Sequence, residues 1–173
     1  MPAFNELVRI YQARVINTCY RFLFTHEDAE DISQDVFIEV YQSISSFRAD
    51  SKLSTWIYRI TVTKCLDEIK KRKRKKRITS VGKILHIDNI AEWLAGGESP
   101  DKLLHHDEKM KQVMKALDSL PDSQRVAFTL SKIEGYTNSE IAEIMNTTTI
   151  AVESLVSRAK KKVSAELEQI IIS

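Results

Sequence analysis

The sequence predicts an all-α protein of two small helical domains joined by a flexible connector, the C-terminal domain being a helix-turn-helix. Apolar residues recur at helical spacing through most of the chain. Only four Gly and three Pro occur among 173 residues, too few for the frequent turns of an all-β fold. Helix-breaking residues, including Gly82, Gly96, Gly97 and Pro100, concentrate in one stretch. The expected division is 1–77, a connector at 78–107, and 108–173.

Three helices are expected in the first domain. Apolar positions from Phe4 to Phe22 follow helical spacing and predict a first helix ending near Phe24. A second helix is expected to begin near Asp28, and residues at helical spacing form its apolar face: Ile32, Val36, Phe37, Val40, Tyr41 and Ile44. Residues 46–52 break the pattern, so Ser54 or Thr55 is expected to cap the third helix.

The connector and the start of the second domain follow the same logic. Ile87, Ile90, Ala91 and Leu94 predict one short amphipathic helix inside the connector. Apolar residues from Met110 to Leu117 predict the next helix. Pro121 is expected to start another helix, which Gly135 is expected to end.

A helix-turn-helix is expected after Gly135. Thr137 to Glu140 has the form of a capping box, in which the two side chains satisfy each other's backbone donors. Asn146 tolerates the left-handed conformation that a tight turn requires. The following helix has an expected buried face of five residues: Val152, Leu155, Val156, Ala159 and Val163. Its exposed N-terminal part suits base edges and its basic end suits phosphates, although an ordinary helical hairpin with a solvated basic face fits the same pattern.

Charge is distributed unevenly although the net charge is only +2. From Phe24 to Phe47 there is no Lys or Arg, whereas every residue from Lys70 to Arg77 is basic. Four acids form a stripe at helical spacing on the second helix: Asp28, Asp31, Asp35 and Glu39. Such a stripe repels DNA phosphates, so it faces either a basic protein surface or solvent.

Aromatic and basic residues lie close together in the sequence after the second helix. Phe47, Trp56 and Tyr58 lie near Arg48 and Arg59, a combination suited to unpaired bases, which stack on rings while cations neutralise phosphates. For each of these aromatic residues taken alone, a place in the core is the better interpretation. The basic run suits a phosphate clamp, and taken alone it suits an RNA-binding or localisation patch equally well.

Several protein classes are disfavoured by the sequence. Cys19 and Cys65 lack metal or redox spacing and are expected to be buried in a reducing compartment. No signal-peptide pattern and no membrane-spanning apolar run is present, so a cytoplasmic protein without membrane insertion is expected. No catalytic triad, metal cluster or phosphate-binding loop is visible, and the adjacent His105 and His106 would point in different directions on a helix. No enzymatic activity, cofactor or metal is therefore expected.

Taken together, these segments resemble the small bacterial sigma factors of the extracytoplasmic-function group over nearly the whole chain. The stretch from Asp28 to Phe37 is similar to the family's segment that binds core polymerase. Phe47 to Asp50 followed by Ser54 to Ile60 is similar to its promoter-melting and −10-element region. Leu120-Pro121 with Arg125, then Glu134 to Thr137 and the helix-turn-helix, is similar to its −35-binding domain.

The resemblance implies partners and roles for these residues. Core RNA polymerase, through its β-prime clamp and β flap, and promoter DNA are the implied partners, and an anti-sigma factor is a further one. The implied polymerase-binding residues are Asp28, Asp31, Gln34, Asp35 and Glu39. The implied −10 DNA-binding residues are Phe47, Arg48, Asp50, Ser51, Trp56, Arg59, Thr63, Lys64, Lys71 and Arg74. The implied −35 DNA-binding residues are Thr148, Thr149, Glu153, Ser154, Ser157, Arg158 and Lys161.

Some positions depart from the family pattern. Thr63 stands where many members have Asn, and Asn146 replaces the usual turn glycine. Glu153 and Leu155 stand where many members have basic residues, so no −35 sequence is inferred. The alternative function is a stand-alone helix-turn-helix regulator, which would need neither the acidic stripe nor the aromatic and basic loop.

Overall fold

The computed structural model describes residues 2–79 and 104–172, and these ranges contain no β-strand. The first of two compact units is built mainly from three helices: α1 (Pro2–Leu23), α2 (His26–Ser43) and α3 (Leu53–Thr79). The second is built mainly from four: α4 (Leu104–Asp118), α5 (Asp122–Phe128), α6 (Asn138–Met145) and α7 (Thr149–Ile172). The predicted all-helical, two-part fold is confirmed.

The first unit is a three-helix bundle in which each helix packs on the other two. Helix α1 ends at Leu23 because Phe24 adopts φ 64° and Thr25 is extended. The core is formed by side chains from all three helices: Val15, Cys19, Phe22, Val36, Val40, Ile57, Tyr58 and Val62. Apolar burial of this kind is the main source of the bundle's stability.

Cys19 and Cys65 are both fully buried, as predicted. Their Sγ atoms lie 3.6 Å apart. The hydrogen bond to Cys19 and burial raise the pKa of the Cys65 thiol well above its ordinary value. Both residues therefore act as small apolar side chains of the core.

Two expectations for the first unit were wrong. Helix α3 begins at Leu53, one residue before Ser54, and its first turn is closed by the Trp56 N–H donating to the Lys52 carbonyl at 3.1 Å. Tyr41, expected on the apolar face of α2, is 47% exposed. Helix α2 ends two residues later, and the ring of Tyr41 packs edge-on against Phe4, with ring centroids 5.1 Å apart. Ile44 is also exposed, in a 3₁₀ turn at Ile44–Ser46.

The second unit packs α4 and α5 against the long helix α7. Its buried side chains include Leu117, Leu120, Val126, Leu130, Ile141 and Val152. Pro121 precedes α5 as predicted, and its carbonyl accepts the Arg125 N–H at 2.9 Å. Helix α5 continues into a π-helical turn at Thr129–Ile133, and Gly135, at φ 77°, ends this segment as predicted.

The helices reach beyond the boundaries expected from the sequence. Helix α3 extends to Thr79 and α4 begins at Leu104, so helical structure occupies both ends of the expected connector. The short helix expected around Ile87 to Leu94 lies outside the described residues. Among the helices that are described, none has the length and apolar character needed to span a bilayer.

Candidate functional site

The acidic stripe of α2 starts at the beginning of that helix. Thr25 is extended, and its hydroxyl donates a hydrogen bond to the Asp28 carboxylate. Glu27 and Asp28 lie in the first turn, where negative charge interacts favourably with the helix dipole. Asp31, Gln34 and Asp35 are exposed further along the helix.

The stripe divides into two parts because α3 supplies cations to some of its members. The Nη2 atom of Arg72 lies 2.5 Å from a carboxylate oxygen of Asp28, and the Lys64 ammonium lies 3.4 Å from a carboxylate oxygen of Glu39. Asp31 and Asp35 make no ion pair with any side chain that the structure describes. These two carboxylates, with Gln34 between them in sequence, are therefore available for a basic surface elsewhere.

Ile38 is an exposed apolar residue that the sequence analysis did not single out on this face. It lies three residues after Asp35 and seven after Asp31, so it shares their side of the helix. Its side chain is 54% exposed. Its spacing from the acids was the signal that could have identified it.

The segment after α2 brings two aromatic rings together. The centroids of Phe47 and Trp56 lie 5.3 Å apart, and both side chains are only partly buried. Ala49 adopts φ 58°, an unusual conformation for a residue with a side chain. Arg48 and Asp50 are exposed and Ser51 is half-buried. The two rings thus lie at a surface, and the loop beside them carries charged and hydroxyl groups.

A groove of about 370 Å³ lies between α2 and α3, beside this aromatic pair. Four of its lining residues had been singled out for the −10 region: Trp56, Arg59, Thr63 and Lys64. Glu39 also lines it, as do Ser43, Ile60 and Asp67, which the sequence analysis missed. Ile60 and Asp67 lie three or four residues from Thr63 or Lys64, so helical spacing could have found them.

The groove combines the aromatic ring of Trp56 with positively and negatively charged side chains. Arg59 is exposed, whereas Lys64 is half-buried and close to Glu39. The Thr63 hydroxyl donates to the Arg59 carbonyl at 2.8 Å, which leaves its oxygen lone pairs as hydrogen-bond acceptors. A flat heteroaromatic group with polar edges fits this lining by stacking and hydrogen bonding.

The basic end of α3 is less uniform than its sequence. Lys71 is 74% exposed, with its ammonium 3.4 Å from Glu68, and Arg74 is exposed. Arg72 instead donates from Nε to Glu68 at 3.1 Å and from Nη1 to the Leu23 carbonyl at 3.4 Å. The exposed lysines and Arg74 can reach phosphates, whereas Arg72 links the helices.

The helix-turn-helix has the predicted local geometry. The Thr137 N–H donates to Glu140 at 2.9 Å and the Glu140 N–H donates to the Thr137 hydroxyl at 3.3 Å, which confirms the capping box. Asn146 has φ 51°, the left-handed conformation that its residue type predicts. The Ala151 N–H donates to the Thr148 hydroxyl at 3.2 Å, so Thr148 caps α7.

Helix α7 presents a polar face along its N-terminal half. All seven residues singled out for the −35 element are exposed: Thr148, Thr149, Glu153, Ser154, Ser157, Arg158 and Lys161. Ile150, which was not singled out, is 77% exposed in the first turn. On the opposite face Val152, Ala159 and Val163 are buried as expected, but Leu155 and Val156 are only half-buried.

Arg125, between Leu120-Pro121 and the helix-turn-helix, is a structural residue. It is 5% exposed, and its Nη2 donates to Asp122 at 3.2 Å. Burial lowers the pKa of its guanidinium, whereas Asp122 and Asp118 raise it. The two carboxylates balance its charge, and the guanidinium is buried inside the unit.

Comparisons with known proteins match both parts of the chain. The model of Sigma-70 region 2 matches residues 7–75 and that of Sigma-70, region 4 matches residues 110–163. The chain is 32% identical to the ECF RNA polymerase sigma-E factor of Escherichia coli, over 98% of its own length and 88% of that protein. It is 30% identical to the ECF RNA polymerase sigma factor SigW of Bacillus subtilis, over 97% and 90%.

Two solved structures share the fold. The sigma factor RpoE of Bartonella quintana, solved with the anti-sigma factor NepR, matches with a TM-score of 0.75 and 21% identity, over 97% of this chain and 98% of that one. CnrH, solved with the cytosolic domain of CnrY, matches with a TM-score of 0.70 and 21% identity, over 97% and 89%. From the two family matches and the near full-length relatives, the chain belongs to the sigma-70 family, in its extracytoplasmic-function group.

Proposed function

We propose that this chain, as a sigma factor, binds core RNA polymerase, recognises promoters and opens them, using three separate surfaces. The observation that carries the proposal is the pairing of an exposed acidic face on α2 with an aromatic and basic groove on the neighbouring α3. A stand-alone regulator needs neither surface, and that alternative is not favoured because a region-2 match accompanies the helix-turn-helix. RNA synthesis is catalysed by the polymerase, so the chain itself catalyses no reaction. Its place of action is the cytoplasm, where it meets the polymerase.

The polymerase contact is assigned to the exposed part of the acidic stripe. Asp31, Gln34 and Asp35 present charge and hydrogen-bonding groups on one side of α2. Complementary charge steers a basic surface, here the β-prime clamp, toward this face. Asp28 and Glu39 belong to the same site, but each is already close to a cation of α3 and contributes less.

The −10 contact is assigned to the loop after α2 and to the groove. Phe47 and Trp56 offer rings on which an unpaired base can stack, and Arg59 and Lys64 neutralise the adjacent phosphates. The loop residues Arg48, Asp50 and Ser51 supply polar partners for base edges. Lys71 and Arg74 hold the backbone further along the strand. Stacking favours the open strand over the duplex, so this surface stabilises promoter opening.

The −35 contact is assigned to α7. Its first turn, held by the Thr148 cap, carries Thr149 toward base edges, with Glu153, Ser154 and Ser157 on the following turns. Arg158 and Lys161 reach the flanking phosphates. The turn before α7, set by Asn146, gives the reading face its direction.

An anti-sigma factor is proposed as the regulatory partner. The RpoE structure named above contains a sigma factor bound to an anti-sigma factor. The exposed acidic face of α2 is a surface that such a partner would have to block in order to prevent polymerase binding. Competition between the two partners for that face is the expected mode of control.

Binding to core polymerase tests the proposal through charge reversal on α2. Asp31→Lys combined with Asp35→Lys is expected to weaken binding at least about tenfold, because two attractive contacts become repulsive. Glu6→Lys is the control, since Glu6 is an exposed acid of α1 and lies outside the assigned face. Binding and run-off transcription by the double variant at the level of the control would contradict the assigned polymerase face.

A further inference from the structure

Ile150 has an exposure that its own unit does not explain. At 77% it exceeds every other exposed large apolar residue in the described part of the chain, the next being Ile10 at 55%. It is the second residue of α7, in the turn that Thr148 caps. Because it is exposed to water, the large branched side chain of Ile150 is not stabilised by burial in the core.

Helical geometry places Ile150 on the reading face of α7. Val152, two residues later, is fully buried, and two residues correspond to a rotation of about 200°, so Ile150 points away from the core. Glu153, Ser154 and Ser157 follow Ile150 by three, four and seven residues and are exposed. These four side chains therefore form one stripe along the helix.

The composition of this stripe limits what it can touch. Glu153 repels phosphates, so this part of the helix suits base edges, while Arg158 and Lys161 lie further along toward the backbone. An isoleucine side chain neither donates nor accepts a hydrogen bond. The apolar feature that B-DNA presents in its major groove is the C5-methyl group of thymine.

We infer that Ile150 reads a thymine in the −35 element through apolar contact with its C5-methyl group. The inference rests on the proposed function and extends it to the base type recognised at one position. The turn before α7 supports it, because the Thr148 cap and the left-handed Asn146 hold the first turn of the helix in a defined geometry. Ile150 is thus a specificity-determining residue and contributes no hydrogen bond.

Removal of a single methyl group from the DNA tests this inference directly. Polymerase holoenzyme containing this chain is bound to a promoter selected with it, and each −35 thymine is replaced in turn by deoxyuridine, which lacks only the methyl group. The wild-type chain is expected to lose about fourfold in affinity at one thymine, the value of one buried methyl group. The Ile150→Ala chain is expected to bind thymine and uracil DNA equally at that position.

Ile10→Ala is the matched control, because Ile10 is also an exposed isoleucine but lies on α1 in the other unit. This variant is expected to keep the wild-type preference for thymine. Three results would overturn the inference: no sensitivity to uracil at any position, full sensitivity retained by Ile150→Ala, or an Ile150→Ala defect equal on both DNAs, which would indicate a protein contact. Failure to select any promoter that the holoenzyme binds would instead contradict the proposed function, and this inference with it.

Discussion

Individual residues of the same charge have different roles in this chain, and Arg72 is the clearest case. It lies inside a run in which all residues from Lys70 to Arg77 are basic. Its guanidinium reaches Asp28 at the start of α2, Glu68 on α3 and the Leu23 carbonyl at the end of α1. One side chain therefore connects all three helices of the first unit.

Replacing Arg72 by Ala is expected to lower the free energy of unfolding of the first unit by about 1–2 kcal/mol, because a half-buried carboxylate and a helix-terminal carbonyl lose their partner. Lys71→Ala is the control, and since Lys71 is 74% exposed it is expected to change that free energy by less than about 0.5 kcal/mol. Urea unfolding followed by circular dichroism measures both. Equal midpoints for the two variants would contradict the structural role of Arg72.

At the scale of single residues, the sequence predicts which acids share a helix face but not which of them are paired with a cation. Spacing alone placed Asp28, Asp31, Asp35 and Glu39 on one stripe, because helical periodicity is local. Which of them meet a cation depends on how α3 packs against α2, and Arg72 and Lys64 are distant in sequence from their partners. Helical spacing in the sequence therefore could not predict the ion pairs between helices.

At the scale of elements, the helix-turn-helix was the part most completely predicted. Its capping box and its left-handed turn residue both act within a few residues, so the local sequence determines them. The start of α3, the exposure of Tyr41 and the contribution of Ser43 to the groove were missed. Each of these depends on a neighbouring helix or loop, which spacing along one helix does not reveal.

The turn between α6 and α7 provides a test of this local control. Asn146 has φ 51°, so Asn146→Ala is expected to lower the free energy of unfolding of the second unit by about 1 kcal/mol, since alanine disfavours the left-handed region. Asn146→Gly is expected to match or exceed the wild type, because glycine adopts that region freely. Thermal unfolding of the two variants compares them. Equal losses for Ala and Gly would show that the Asn side chain, and not its backbone conformation, stabilises the turn.

At the scale of the whole molecule, the chain divides its work between two helical units with different charge patterns. The first carries the exposed acids of α2 and the groove beside Trp56, and the second carries the polar and basic face of α7. Acidic and basic surfaces in one chain suit partners of opposite charge, a protein for one and nucleic acid for the other. The sigma-70 family membership accounts for this combination, and a duplex-binding regulator does not.

Promoter opening tests this account most directly. Permanganate modifies unpaired thymines, so its reactivity in the −10 region reports strand separation at a promoter selected with this chain. Core polymerase and the chain together are expected to make those thymines reactive, while either component alone leaves them protected in the duplex. Reactivity produced by the chain without polymerase, or no reactivity with both present at a promoter that the complex occupies, would contradict the claim that this chain opens promoters only as a polymerase subunit.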